Sequence, residues 1–537
     1  PSFQATLAQF DQERLAWESE ELPGLDLSTA PWTIVDRSDD SVTFQRRLPR
    51  RGLTITKRYR LASLADAAAA KADEPAYHLT LELTIANDAE DGGAERRVAY
   101  RLDGPNSLPT EGWWFVIKVG RASGAGLRDV QGRYFGASPV QQTAAGISAG
   151  DAPPFESGAM AYMGVDSHYF AAAMLPDKED PKVEWIASSR SRVVGPVPSR
   201  RSGRTQYANV SFRMLSHPVT LQPGEEVTHA YRIFAGPKRP GLLKKYVAAG
   251  DPAYTLGDFV YYGWFSGIAR LMVGALHVFY SLVGNYGVAI VMLTILVRGC
   301  MFPISRSQVR SMAKLQELRP EMDRIKERYK GDSQKQAQAM QQLYRKHKVN
   351  PLAGCLPVLL QLPIFVGLWR GLSVDVELRQ APLLGGAIRW CSNLAAPDML
   401  YNWSSWMPSL VTNYLGPYLN VLPLVTVALF LLQQKMFMPP PVNEQAAMQQ
   451  KIMKYMMVLI GVLFYKVPSG LCLYSISSSL WGMGERKLFP PPPAPDAAAA
   501  PGPASSSSPS RPGRDAGAIE KNGAAARARD KKAKRRR

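Results

Sequence analysis

The feature that most restricts what this chain can fold into is a change of texture near residue 260. Before about residue 240 no apolar run is long enough to cross a bilayer. After it, five segments approach that length: about 285–304, 351–372, 418–437, 454–468 and 469–488. A spanning helix needs about 20 predominantly apolar residues. Each segment is shorter or more polar than this: Gln361 interrupts the second, Gln433 and Gln434 lie in the third, and "YSISSS" (474–479) lies in the fifth. The connections alternate in charge. Arg306–Lys348 holds 12 basic and 5 acidic residues, whereas 373–417 holds only Arg379 and Arg389 as basic residues. The next connection has Lys435, Lys451 and Lys454, and Arg511–Arg537 holds 11 basic and 3 acidic residues. Two short stretches thus carry +15 of the net charge of +19. Loops rich in Lys and Arg face the cytoplasm, so five spans place the N-terminal half outside and the C-terminus inside.

The N-terminal half alternates instead. In "AYHLTLELTIAND" Tyr77, Leu79, Leu81, Leu83 and Ile85 alternate with His78, Thr80, Glu82 and Thr84. In "LTITKRYRL" Leu53, Ile55, Tyr59 and Leu61 share one parity. A period of two predicts strands with one buried face, and "RSDDS" (37–41) reads as a hairpin turn. Several such strands joined by Gly/Pro-rich connections predict an antiparallel β-sandwich. His78 and His229 fall in strands and read as structural. Trp113 and Trp114 read as packing residues, with sugar stacking as the alternative. No protease, hydrolase or phosphate-loop signature occurs, so nothing argues for an enzyme, a cofactor or a metal. Cys300, Cys355, Cys391 and Cys472 form no CxxC pair and read as small apolar residues. Residue 1 is proline, so a signal or first membrane anchor can precede it.

Between the halves, "YGWFSGIARLMVGALHVFYSLV" (262–283) is apolar but carries Arg270 and His277, which suits a helix lying in the membrane interface. In the basic connection, Leu315, Leu318, Met322, Ile325 and Tyr329 are spaced 3, 4, 3, 4, a heptad seam. Pro320 kinks or starts this arm. "KGDS" (330–333) breaks it with Ser333 as the expected N-cap, and Met340, Leu343 and Tyr344 face back from a second helix. The segment reads as a helical hairpin, either a spacer or a docking arm. Its exposed cations Arg310, Lys314, Arg324, Lys326 and Arg328, with Lys531, Lys532 and Arg535 of the low-complexity tail, are the candidate contacts for a substrate chain or a ribosome. No aromatics accompany the tail, so phosphate contact by counterion release is the available physics. Ribosomal RNA and the anionic inner leaflet both suit it, and DNA is not expected.

Arg298 ends the apolar run Tyr286–Val297. Counted from Tyr286 it lies 12 residues in, ~18 Å at 1.5 Å per residue. In a core ~30 Å thick this leaves ~12 Å to the inner surface, more than a side chain covers by snorkelling. Thr294, Gln361, Gln434, Tyr474, Ser475, Ser477 and Ser478 supply polar groups on the same or neighbouring spans. Intramembrane polar groups face the bundle or a wet cavity, so these residues are expected to line a hydrated pocket around an uncompensated cation, open to the cytoplasm. The alternative is a structural role, with Arg298 bonded to Gln side chains.

"VRGCMFPI", "NPLAGCLPVLLQLPIFVGLW", "MQQKIMKYMM" and "VPSGLCLY" resemble the core of the YidC family of membrane-protein insertases, over about 257–489. The preceding half, closing with "YRIFAGPK" (231–238), is similar to the large periplasmic domain of Gram-negative members. The resemblance implies a nucleotide-independent insertase of the bacterial inner membrane, acting alone or beside the Sec translocon. It further implies a groove in which Arg298, Gln434 and Tyr474 match groove positions. The N-terminal anchor usual in such members is not within this chain. Ser475 stands where many members carry a second aromatic. The loop 373–417 is long, with Trp390, Trp403 and Trp406 expected at the interface. The expected architecture is an α+β membrane protein: flank 1–27, periplasmic β-sandwich 28–240, linker and interfacial helix 241–283, five-span core 284–489 with cytoplasmic helical hairpin 306–348, and basic tail 490–537. The expected partners are nascent membrane proteins, the ribosome, the Sec translocon and lipid. A small-solute transporter or channel is the rival, but no internal repeat supports it and it gives the hairpin and tail no role. A carbohydrate-binding module on a membrane anchor is a third reading, for which five polar spans are excessive.

Overall fold

The computed structural model describes residues 2–17, 19–62, 77–88, 93–112, 120–122, 124–155, 158–198, 204–347, 356–385, 390–437 and 444–488. Trp113, Trp114, Cys355, Arg389 and the tail with Lys531, Lys532 and Arg535 lie outside them, as does the side chain of Arg310.

The first strands are β1 (Ala5–Phe10), β2 (Glu13–Arg14), β3 (Thr33–Arg37), β4 (Ser41–Leu48) and β5 (Leu53–Leu61). They are followed by β6 (His78–Asn87), β7 (Arg96–Asp103), β8 (Asp129–Tyr134), β9 (Val140–Gln142) and β10 (Met160–Asp166). The series ends with β11 (Phe170–Pro176), β12 (Ile186–Val193), β13 (Val210–Ser216), β14 (Val219–Leu221) and β15 (Glu226–Pro237). One sheet runs β12-β13-β7-β1-β2 with β14 beside β7, and the other runs β3-β4-β5-β6-β15-β11-β10-β8-β9. Their ladders are antiparallel, and a single core takes Leu7 and Leu102 from the first sheet and Leu53, Leu81 and Ile233 from the second. The turn 37–41 closes the β3–β4 hairpin, pairing Arg37 with Val42.

The alternation holds in β6, where Leu81, Leu83 and Ile85 are buried. It fails at one end of β5: Leu61 is 57% exposed, whereas Lys57 is buried on the inward parity. The Lys57 ammonium lies 4.1 Å from the centre of the Trp32 ring, and burial pushes its pKa down to about 8. An aromatic face thus replaces water there.

Two expected boundaries move. Residues 1–27 are not a flank: every residue of β1 is buried, and the strand lies between β7 and β2. Part of the linker also belongs to the β-domain. Leu242, Leu243, Tyr246, Leu256 and Phe259 pack on Tyr162, Ala171 and Phe234, covering apolar sheet surface that water would otherwise meet.

Eleven α-helices lie among the described residues, opening with α1 (Ala144–Ala149) and α2 (Pro240–Leu243). α3 (Ser266–Val283) and α4 (Tyr286–Glu317) follow, then α5 (Arg319–Arg328), α6 (Ser333–Lys346) and α7 (Leu356–Val374). The rest are α8 (Ser409–Leu415), α9 (Val421–Phe437), α10 (Glu444–Leu463) and α11 (Ser469–Leu488). α11 packs on α4 and α9, and α3 packs on α4 and α7. By length and composition, Ser266–Val283 and Tyr286–Ser307 can each cross a membrane, while Leu359–Val374 and Val421–Met436 are shorter apolar helices. The segment 262–283, expected to lie flat, is therefore also long and apolar enough to cross. α10 begins at Glu444, ten residues before the expected start of the fourth span.

Pro320 lies in the first turn of α5 and so starts that helix, where its missing N–H costs nothing. The cap of α6 is Asp332 rather than Ser333: its carboxylate accepts from the Lys335 N–H at 3.0 Å. Asp is as good a cap as Ser, and the chain turns one residue earlier. α5 and α6 pack together, with Leu318 and Leu343 buried and Lys314, Arg324, Lys326 and Arg328 outward.

Candidate polar site among the apolar helices

α4 and α11 cross with polar residues facing each other. The Arg298 Nε donates to Ser478 Oγ at 2.7 Å, and Nη2 reaches the same oxygen. Farther along, Ser305 Oγ donates to Glu485 Oε1 at 2.8 Å. From α7, Gln361 Nε2 donates to Tyr474 Oη at 3.1 Å. Tyr474 is 1% exposed, and the Oε1 of Gln361 is buried without a hydrogen-bond partner. Arg298 itself is half-buried.

The spacing explains the meeting. Tyr474, Ser478, Trp481 and Glu485 recur at 4, 3 and 4 residues, so one face of α11 carries all four. Arg298 and Ser305 are seven apart on α4, ~10.5 Å along its axis. Glu485 therefore engages α4 two turns beyond Arg298. Among the described residues no carboxylate forms an ion pair with Arg298.

Of the expected site residues, Arg298, Gln361 and Tyr474 lie here in two pairs one turn apart on α11: Arg298 with Ser478, and Gln361 with Tyr474. Thr294 and Ser475 do not join them. Thr294 Oγ1 donates to the Ile290 carbonyl at 2.8 Å and Ser475 Oγ to the Leu471 carbonyl at 2.9 Å. A buried hydroxyl on a helix satisfies itself on the carbonyl one turn back, and the face it occupies follows from packing rather than from its polarity. Gln434 is half-buried on α9. Its neighbour Gln433 brings Nε2 within 3.2 Å of where a Cβ on Gly482 would lie. Ser478 stood in the sequence only as one of several polar residues of the fifth segment, and its four-residue step from Tyr474 was the signal that singles it out.

Fold and site define a class: an antiparallel β-domain joined to apolar helices that close round a polar cluster containing one arginine. Residues 140–275 match the family model described as the YidC periplasmic domain, and residues 278–490 match that of the 60Kd inner membrane protein. The chain belongs to the YidC family of membrane-protein insertases. It is 37% identical over 268 residues to the membrane protein insertase YidC of Pelobacter propionicus, covering 50% of this chain and 45% of that protein. It is 33% identical over 406 residues to the YidC of Methylobacterium radiotolerans, covering 73% of this chain and 60% of that one. The chain thus spans about half the length of the curated relatives it matches. Aligned with a crystal structure of an active YidC insertase with its first transmembrane domain resolved, it is 18% identical, with a TM-score of 0.34 over 86% of this chain and 81% of that one.

Proposed function

We propose that this protein is an insertase of the bacterial inner membrane, with the β-domain periplasmic, five spans (α4, α7, α9, α10 and α11) and the C-terminus cytoplasmic. The observation that carries this reading is the half-buried Arg298, bonded to a neutral serine with no carboxylate pair among the described residues, in the otherwise uncharged stretch 286–305 of α4. A guanidinium in hydrocarbon is costly unless solvated or paired. Here its bond points sideways to α11, so the side chain is not extended toward the headgroups. The charge stays at depth and needs water.

A wet, positively charged groove lined by Arg298, Ser478, Gln361, Tyr474 and Gln434 shortens the hydrophobic path for the polar flank of a nascent segment. In a low dielectric Arg298 attracts acidic or polar flanks, and burial of the segment's apolar helix in lipid drives its departure. The arm formed by the end of α4 with α5 and α6, through Arg310, Lys314, Arg324, Lys326 and Arg328, receives the chain. The basic tail, with Lys531, Lys532 and Arg535, holds the ribosome, and the insertase acts alone or beside the Sec translocon. No step needs a nucleotide, metal or cofactor.

The test uses Arg298→Ala and Arg298→Lys in a depletion strain, scoring insertion of single-span substrates at matched protein levels. Ala is expected to lower insertion several-fold, with Lys retaining part of it, because charge persists without the planar fork. Wild-type insertion by Arg298→Ala across several substrates would overturn the electrostatic role. Crosslinks from position 298 or 434 to a stalled nascent chain are expected to map the path.

A further inference from the structure

The 22 residues Met399–Asn420 contain no Asp, Glu, Lys, Arg or His, yet they stand on a rigid base. Two short strands, β18 (Tyr401–Asn402) and β19 (Tyr418–Leu419), pair across the loop. Trp403 is buried between them: Nε1 donates to the Gly416 carbonyl at 2.9 Å and its ring lies parallel to that of Tyr465, centroids 6.2 Å apart. Tyr465 Oη accepts from the Asn420 N–H at 3.0 Å, and the Asn420 side chain donates to the Tyr465 carbonyl at 2.9 Å and accepts from the Met399 N–H at 3.1 Å. Asp398, 1% exposed, accepts from the N–H groups of Val421 and Leu422 and caps α9. Every buried polar group named here is spent on holding the loop to the start of α9 and to the turn before α11.

What the base holds outward is apolar. Leu400 is 45% exposed, Tyr401 55%, Trp406 63%, Leu410 70% and Tyr414 74%. Five large side chains fixed in water without one charge among them form an unfavourable surface. The loop runs directly into α9 at Val421, where Leu424 and Val425 are exposed, as are Leu459 and Val462 of α10. Tyr and Trp, with an apolar body and a polar tip, prefer the boundary between headgroups and acyl chains.

We infer that Leu400, Tyr401, Trp406, Leu410 and Tyr414 form a lipid anchor seated in the headgroup–acyl boundary of the leaflet on the β-domain side. The occupant is the bilayer surface itself, for two reasons on this molecule. The loop leads straight into the exposed apolar residues of α9, and its five outward side chains carry no charge with which to choose a protein partner or an anionic lipid, the neighbouring Lys466 ammonium being turned onto the Asn413 carbonyl at 3.4 Å. The anchor sets the height of α9 and of the α10–α11 turn, and through α11 the depth of Tyr474 and Ser478. Expected burial there is independent of salt and of anionic lipid. The anchor rests on the membrane reading above.

An environment-sensitive fluorescent amino acid placed at 410, or in a separate protein at 432 on α9, tests it. The full chain is reconstituted into phosphatidylcholine vesicles carrying bromine either near the top or near the end of the acyl chain. Position 410 is expected to be quenched severalfold more by the shallow bromine than by the deep one, and weakly by aqueous iodide, at low and high salt alike. Quenching at 410 by iodide alone, or by neither agent because protein covers it, overturns the anchor if 432 is still quenched by lipid. Should 432 also escape lipid bromine, the membrane reading itself falls, and the anchor with it.

Discussion

The Arg298–Ser478 bond leaves a full positive charge beside a neutral hydroxyl, so the balance of charge at this point can be reset by one atom group. Ser478→Asp supplies the missing counter-ion at bonding distance, and a paired arginine is no longer free to attract a visitor. Insertion by that variant is expected to fall to the level of Arg298→Ala while the protein accumulates normally, with Ser478→Ala milder. Wild-type insertion by the aspartate variant would show that a free cation is not required. A second residue-scale effect lies in the β-domain. His229 stacks on Trp185 at 4.8 Å and shares a 2.7 Å hydrogen bond with Tyr100 Oη, which in turn meets Tyr231 Oη at 2.6 Å. Burial pushes the imidazole pKa down to about 4, against about 6.5 when unfolded. Between those values the unfolded chain holds the extra proton. Stability is therefore complete above about pH 6.5 and is lost as pH falls through about 4. In thermal melts across this window, His229→Gln is expected to flatten the decline relative to wild type.

At the scale of elements, small residues decide how closely helices approach. A Cβ on Gly367 would lie 2.9 Å from Ile268 Cγ2 and one on Gly371 2.8 Å from Val273 Cγ2, both on α3. A Cβ on Gly461 of α10 would lie 2.6 Å from Val427 Cγ2 of α9. Without Cβ atoms the backbones close up and gain dispersion contacts, the main attraction available between helices in lipid. Gly371→Leu is expected to push α3 away from α7 and to cost about 1–3 kcal/mol. The measurement is the melting midpoint of the detergent-purified protein, and an unchanged midpoint would mean that α3 is not held by this contact. The cysteines follow the same logic: Cys391 and Cys472 are buried packing residues, whereas Cys300 is exposed.

For the whole molecule, the notable fact is that the two halves are fastened. Tyr169, from the loop between β10 and β11, is 1% exposed within the core of the helical half, beside Leu372 and Leu378. Next to it the His168 ring bonds the Ser373 carbonyl, and Arg379 Nε reaches Glu111 Oε1 at 2.8 Å. Arg239 meets Glu377 at 2.5 Å. The buried Lys238–Asp166 pair, 2.9 Å apart, braces the same loop from the β-domain side. One aromatic seated in the other half's core outweighs the exposed pairs around it. Tyr169→Ala is expected to cost about 3–5 kcal/mol, as a large core truncation. It should also speed proteolytic cleavage between residues 260 and 266, whereas Glu377→Gln should barely alter it. Equal cleavage of all three proteins would show that Tyr169 does not fasten the halves.

The sequence by itself determined the division into a strand-rich and a helix-rich half, because period two and long apolar runs are local patterns that burial imposes on any fold. It also marked Arg298, since a charge in an apolar run is conspicuous wherever it lies, and it marked Gln361 as a polar interruption of an apolar segment and Tyr474 by its place in a polar run and by family resemblance. Tertiary structure alone decided the rest. It put residues 5–10 at the heart of a sheet, turned Lys57 inward over Trp32, and buried Trp403 while leaving Trp406 out. It returned Thr294 and Ser475 to their own helix carbonyls and gave Arg298 to Ser478. Those outcomes depend on which faces of distant segments meet, and a face is chosen by the summed packing of both partners rather than by either residue's own chemistry.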